Sequence, residues 1–340
     1  MLEARRKGLA WVEGSAERAQ LDIPIAVAGL IVGFVVGMTG MGGGALMTPV
    51  LILIFGVSAP AAISSDLVAS VIMRPVGAAV HLRRGTVQGG LVLWLSIGSV
   101  PMAFVGVLLI KVIAHGQQVQ DIVQIALGAA LLVSAGAMVL KALINLRQRA
   151  RGDHLMEAEH GRVPVRRVPT LLIGALGGLI VGMTSVGSGS LIIACLLFLY
   201  PRLKASQLVG TDLVQAMPLV ASAALGHLLF GNVQFGLTVA LIIGSVPGVF
   251  LGALVSSLAP PRLVRRALAI VLTASGLKLV GVGTVELGIV LVAVLVAGPL
   301  LWALVRRADG FARRTLARTV EVRGVPAEAV TAPQQVASGS

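Results

Sequence analysis

The sequence predicts an all-α polytopic membrane protein: two inverted-topology repeats of about five apolar segments each, with glycine-broken helices, plus one extra C-terminal transmembrane helix. Three observations lead there. The 340 residues are 56% hydrophobic and only 12% charged, with a mean hydropathy of +0.96, too apolar for a soluble globule. Apolar stretches long enough to span a bilayer recur along almost the whole chain, where a transmembrane barrel would show short alternating segments. The chain also repeats itself. Residues 29–46 (GLIVGFVVGMTGMGGGAL) and 174–191 (GALGGLIVGMTSVGSGSL) are identical at nine of 18 positions, and residues 65–106 match 211–252 at 19 of 42. Two apolar halves on one plan, each broken by glycines, are the pattern of membrane proteins built from internal repeats.

The elements follow in order. Residues 1–21 form an N-terminal tail, where Arg5, Arg6 and Lys7 are followed by Glu13, Glu17 and Arg18 rather than by a signal-peptide core. The first repeat, 22–144, holds apolar segments at 23–39, 44–55, 62–82, 88–113 and 119–141. The linker 145–168 carries mixed charges and ends in Arg162, Arg166 and Arg167. The second repeat, 169–281, holds segments at 169–184, 187–200, 206–230, 235–258 and 263–281. A segment with no counterpart follows at 284–305, and the tail 306–340 is basic, then rich in Pro, Ala, Gln and Ser, a composition that predicts disorder.

Loop charge orients the segments. The first half carries nothing at 56–61, then Arg83 and Arg84, then Lys111 against Asp121. The second carries Arg202 and Lys204, nothing at 231–235, then Arg262, Arg265 and Arg266. With arginine-rich loops in the cytoplasm, each loop lies across the membrane from its counterpart. The linker and the tail come out cytoplasmic, and the protein is placed in the cell (inner) membrane; the N-terminus comes out on the far side despite its basic residues. The net charge of +13 is this topological bias, and the expected partners are the lipid bilayer and a small solute, with no nucleic acid. Cys195 is the single cysteine, so no intrachain disulfide forms, and neither a metal nor a cofactor is expected. The oligomeric state stays open.

The second segment of each half is short. Residues 44–55 make roughly 18 Å of helix against a bilayer core of roughly 30 Å, so a half-helix is expected to begin inside the membrane at the glycine break. Gly42, Gly43 and Gly44, with Gly187, Ser188 and Gly189 in the other half, leave backbone N–H groups open at helix N-termini, where anions are favoured. Thr39, Thr184, Ser188 and Ser190 add hydroxyls. The ladders Gly29–Gly33–Gly37 and Gly174–Gly178–Gly182 instead predict close helix packing.

Four further polar residues recur in both halves. Asp66 and Asp212 stand at the start of predicted spans, where they either cap the helix or carry protons in a coupling path. His81 and His227 lie 15 residues further on, roughly 22 Å of helix away, so an Asp–His pair forms only between halves. The histidines are either gating or proton-transfer groups or interfacial helix-end residues. Arg74 stands alone: its counterpart is Val220, and it lies in mid-span before Pro75. A charge at that depth is a functional candidate, here the counter-charge of an anion or one side of a structural salt bridge. Pro75 should disturb its helix.

These residues resemble the sulfite exporter TauE/SafE family, also called the toluenesulfonate uptake permease family. The resemblance rests on the GMGGG break (40–44) followed by Pro49, its copy SVGSGS (185–190), the segments beginning SDL and TDL, the pattern H-L-x-x-G-x-V-Q at 81–88 and 227–234, and GSVP at 98–101 and 244–247. It covers about residues 22–281. It implies a polytopic permease for small anions, often sulfur-containing (sulfite, organosulfonates), with coupling to protons or ion gradients. The second copy departs from the pattern, with Ser188 for Gly43 and Ala194 for Pro49.

The expected function is thus secondary transport of a small, sulfur-containing anion, with an anion channel as the alternative. A third reading, an intramembrane hydrolase with Ser188 as nucleophile and His227 as base, has Gly43 against it at the repeat-equivalent position; no enzyme is expected.

Overall fold

The computed structural model describes residues 23–39, 43–83, 85, 87–113, 118–150, 164–201, 203, 205–255 and 261–288. All elements among these are helical: α1 (Ile23–Thr39), α2 (Gly44–Leu53), α3 (Ala59–Arg83), α4 (Gly89–Ile113), α5 (Gln118–Ala150), α6 (Arg167–Thr184), a π-turn (Ser188–Ile192) running into α7 (Ile193–Leu199), α8 (Ala205–Phe230), α9 (Phe235–Val255) and α10 (Pro261–Leu279). Five of them, in α4, α5, α6, α8 and α9, are long and apolar enough to cross a membrane. The predicted extra helix at 284–305 and the two tails lie largely or wholly outside the described residues.

Glycines set the packing. A Cβ on Gly33 or Gly37 would strike the backbone of Ser245 or Val249 in α9, and a Cβ on Gly178 or Gly182 would strike Ser99 or Ala103 in α4. The two ladders are therefore helix-packing seams, as their spacing predicts. In both seams residue numbers rise together, so α1 runs parallel to α9 and α6 parallel to α4. Each half lays its first helix on the fourth helix of the other half. The equivalent helices α3 and α8 pack antiparallel: the hydroxyl of Ser65, early in α3, accepts the Gln234 N–H beyond the end of α8, at 3.2 Å. The matching bond, Gln88 N–H to the Thr211 hydroxyl at 3.1 Å, lies at the other end. The same plan holds for α5 and α10, where Gly128 meets Val280 and Gly276 meets Leu132.

α3 is built inside out. Ser64, Ser65, Asp66, Ser70 and Arg74 are buried along its length, while Val71 and Ile72 are exposed. A helix in lipid turns its apolar face outward and keeps polar groups where protein satisfies them.

Three boundaries differ from expectation. The third and eighth helices begin at Ala59 and Ala205 rather than 62 and 206. That puts Asp66 and Asp212 past the first turn of their helices, so neither is an N-cap. Helix α5 runs to Ala150, into the predicted linker. Pro75 does not break α3, which stays continuous to Arg83.

The short second segments do form short helices, α2 of 10 residues and α7 of 7. α2 starts beside the other glycine break: a Cβ on Gly44 would run into the Ser185 carbonyl, whereas one on Gly43 would meet Met73, Ser70 and Asp66 at 3.5–3.8 Å. Gly44→Ala is therefore expected to cost roughly 1–3 kcal/mol through overpacking, and Gly43→Ala to be tolerated. Thermal unfolding of the purified variants in detergent measures the difference; equal midpoints would show that the two breaks do not touch.

Candidate functional site

The breaks of the two halves meet around α3. Arg74 is 6% exposed, and its Nη1 donates to the Ser188 hydroxyl at 2.8 Å. The isolated cation of the first half thus reaches the second glycine break, 114 residues away. Arg74 also interacts electrostatically with the carboxylates of Asp212 and Asp66. Its Nε and Nη2 are buried and find no hydrogen-bond partner among the described residues. Those two N–H groups form one edge of the guanidinium, the edge that binds two oxygens of an oxyanion side by side.

Asp66 lies about two turns earlier on α3. Its Oδ2 accepts from the Ser185 hydroxyl and from Thr48 Oγ1 at 3.3 Å. Ser185 closes α6 in a left-handed conformation, φ 61°, where a side chain is strained and glycine is usual. Its counterpart in the first half is Gly40. The second half thus carries a strained serine whose hydroxyl crosses to the first half's aspartate. Gly187 follows at φ 122°, a conformation that favours glycine, and aims Ser188 toward Arg74. A cavity of about 10 Å³ lies along Ser185, Gly187, Ser188, Gly189 and Ala45. It has room for about one water molecule, so an anion enters only if the helices around it move apart.

His227 lies at the expected level of α3 but does not pair with Asp66. Its Nδ1 bonds the Ser64 hydroxyl at 2.8 Å, and its Nε2 bonds the Gly182 carbonyl at 2.9 Å. Positions 64 and 66 point about 200° apart on a helix, so a group that meets one faces away from the other. Both ring nitrogens being engaged, His227 is not the base of Ser188, whose hydroxyl faces Arg74. The hydroxyls of Thr39 and Thr184, expected to face an anion, donate back to the carbonyls of Val35 and Ile180, at 2.8 and 2.7 Å, and that of Thr184 also accepts the Val186 N–H inside the break, at 3.2 Å. Gly42 and the side chain of His81 lie outside the described residues.

Sequence reasoning passed over Ser64, Thr48 and Ser185 as site residues. The available signal was asymmetry: Ser64 and Ser185 stand where the other copy has Gly210 and Gly40.

A second, larger cavity of about 660 Å³ opens between the start of α3, the ends of α4 and α8 and the start of α5. Ser64 and His227 line it, with Lys111, Asn232 and Met183.

Among curated proteins the chain is 37% identical over 261 residues to "Probable membrane transporter protein YjnA" of Bacillus subtilis, covering 76% of this chain and all of that one. It is 23% identical over 249 residues to "Probable membrane transporter protein YdhB" of the same organism, covering 73% and 96%. A "Probable membrane transporter protein" of Xylella fastidiosa is 27% identical over 233 residues, covering 68% and 83%. No solved structure is a significant match. The family model described as "Sulfite exporter TauE/SafE" matches residues 25–279, from the start of α1 to the end of α10, and the chain is therefore a membrane transporter of the TauE/SafE family.

Proposed function

We propose that the protein is a secondary carrier that moves a small sulfur-containing oxyanion across the cell membrane by alternating access, with Arg74 as the residue that holds the anion. The observation that carries this reading is the buried guanidinium with one hydrogen-bonding edge unengaged. A planar two-donor edge fits an oxyanion better than a halide. Sulfur as the central atom comes from the family's description.

The opposite orientation of the halves supports alternating access. Equivalent helices α3 and α8 run antiparallel, and the seams α1–α9 and α4–α6 are exchanged between halves, as an inverted repeat requires. With the arginine-bearing loops in the cytoplasm, the large cavity faces away from the cytoplasm, and the linker and C-terminal tail lie inside. The site at Arg74 is closed while that cavity is open, the condition of a carrier between two accessible states.

Two carboxylates near one guanidinium supply the coupling. With Asp66 and Asp212 both ionised, the centre carries net negative charge and repels an incoming anion. A proton on either carboxylate releases Arg74 to the substrate, so anion and proton bind together and travel together.

The test is uptake of radiolabelled sulfite by the purified protein in proteoliposomes, alongside thiosulfate and methanesulfonate, with and without an imposed pH gradient. Saturable, gradient-dependent flux of at least one of these is expected. Very fast, non-saturating flux would mean a channel, and no flux of any would remove the sulfur oxyanion from the reading.

A further inference from the structure

We propose that the 660 Å³ cavity is a first binding station for the anion, with the Lys111 ammonium as its attractor, separate from the Arg74 centre and leading to it. The proposal rests on the anion-carrier reading above.

The volume falls in the range of small-molecule sites, roughly 300–1,000 Å³. Lys111 and His227 are the titratable groups on its described wall, and no carboxylate lines it. The Lys111 ammonium lies 4.4 Å from the centre of the Phe230 ring, which also lines the cavity. No carboxylate forms an ion pair with it among the described residues. Lys111 is exposed at the end of α4, and its ammonium lies over an aromatic wall at the water-open side of the cavity. A positive group in a partly apolar enclosure raises the local concentration of anions. The buried Ser64 and His227 and the exposed Asn232 add polar groups to its wall.

The cavity also leads inward along one strand of chain. Met183 lines it, Ser185 next binds Asp66, and Ser188 binds Arg74. Ser185, which bonds Asp66, is itself a wall of the 10 Å³ space, two residues along the chain from Met183 on the wall of the large cavity. An anion drawn to Lys111 waits at the Ser185–Asp66 bond and passes when it breaks.

The experiment uses the full chain in proteoliposomes with Cys195→Ala, which removes the native exposed thiol, and Asn232→Cys as reporter. The introduced thiol is labelled with methanethiosulfonate reagents bearing either a sulfonate or a trimethylammonium group, each rate being divided by that with a free thiol. The sulfonate reagent is expected to be favoured at least threefold, Lys111→Gln to remove the preference, and methanesulfonate, which unlike sulfite does not react with thiosulfonates, to slow labelling even with Arg74→Gln present. Lys111→Gln is further expected to raise the KM for sulfite about tenfold. Equal normalised rates, or a preference that survives Lys111→Gln, overturn the station. A Lys111-dependent preference without sulfite transport upholds the station and overturns sulfite as the substrate. Loss of methanesulfonate protection through Arg74→Gln alone shows a single site and overturns the station.

Discussion

Arg74→Gln is expected to lower transport about a hundredfold or more while the protein still reaches the membrane. The glutamine is shorter than the arginine and loses the charge and the paired N–H edge. A charge-assisted pair to a bound oxyanion contributes roughly 2–3 kcal/mol, and about 1.4 kcal/mol is a factor of ten in affinity. The substitution also leaves Asp66 and Asp212 without the cation they share, which costs roughly 3–5 kcal/mol if both stay ionised. Stability and function are therefore expected to fall together in this variant and must be separated. Adding Asp66→Asn to Arg74→Gln removes one uncompensated carboxylate and should recover part of the thermal stability, with no recovery of transport. Arg74→Lys keeps the charge but not the fork and should retain binding at reduced affinity. Uptake and unfolding midpoints of the three variants decide the matter: near-normal flux in Arg74→Gln would mean that Arg74 is a structural charge and that the anion binds elsewhere.

Asp66→Asn alone is expected to separate anion movement from the proton gradient. The amide resembles a permanently protonated carboxyl in charge, and it still accepts from Ser185 and Thr48 through its carbonyl oxygen. Arg74 then keeps one carboxylate, Asp212, and its unengaged edge. The variant should bind sulfite but lose at least about tenfold of the flux that an imposed pH gradient drives, while exchange of internal for external sulfite persists. The symmetric change, Asp212→Asn, tests whether either carboxylate serves. Asp66 has the firmer claim, because its hydroxyl donors come from both halves (Thr48 from the first, Ser185 from the second) and would change when the halves rock. Gradient-driven uptake that is unaltered in both variants would remove the carboxylates from the coupling.

The differences between the two copies carry most of this chemistry. Arg74 opposite Val220, Ser64 opposite Gly210, and Ser185 opposite Gly40 put the cation and one outer hydroxyl in the first half and the strained cap in the second. Under the proposed alternating access, the duplicated scaffold would supply two rocking units and the asymmetric residues one binding centre.

Much of the fold was legible in the residue pattern, for a physical reason. Lipid imposes a single period and a single length on spanning helices, so apolar runs and glycine breaks locate them directly. The glycine ladders were readable as packing seams because only small residues let backbones approach so closely. Boundaries within polar stretches were harder. Asp66 read as standing at a helix start, and Ser64 and Ser70 went unread, because burial of polar groups inside protein leaves no mark on a hydropathy profile.

Composition, repeat and segment length by themselves determined an apolar helical protein, its duplication and its short second helices, and a charge in mid-span marked Arg74 as the residue to watch; the family came from the resemblance of its motifs. Only the tertiary structure decided partners. It joined Arg74 to Ser188, gave Asp66 to Ser185 and Thr48 rather than to a histidine, tied His227 to Ser64, and turned Thr39 and Thr184 back onto their own helices. Those outcomes depend on the rotation of each helix about its axis and on which seams are exchanged between the halves. Both are set by long-range packing of glycines against backbone, which spacing along the chain does not encode.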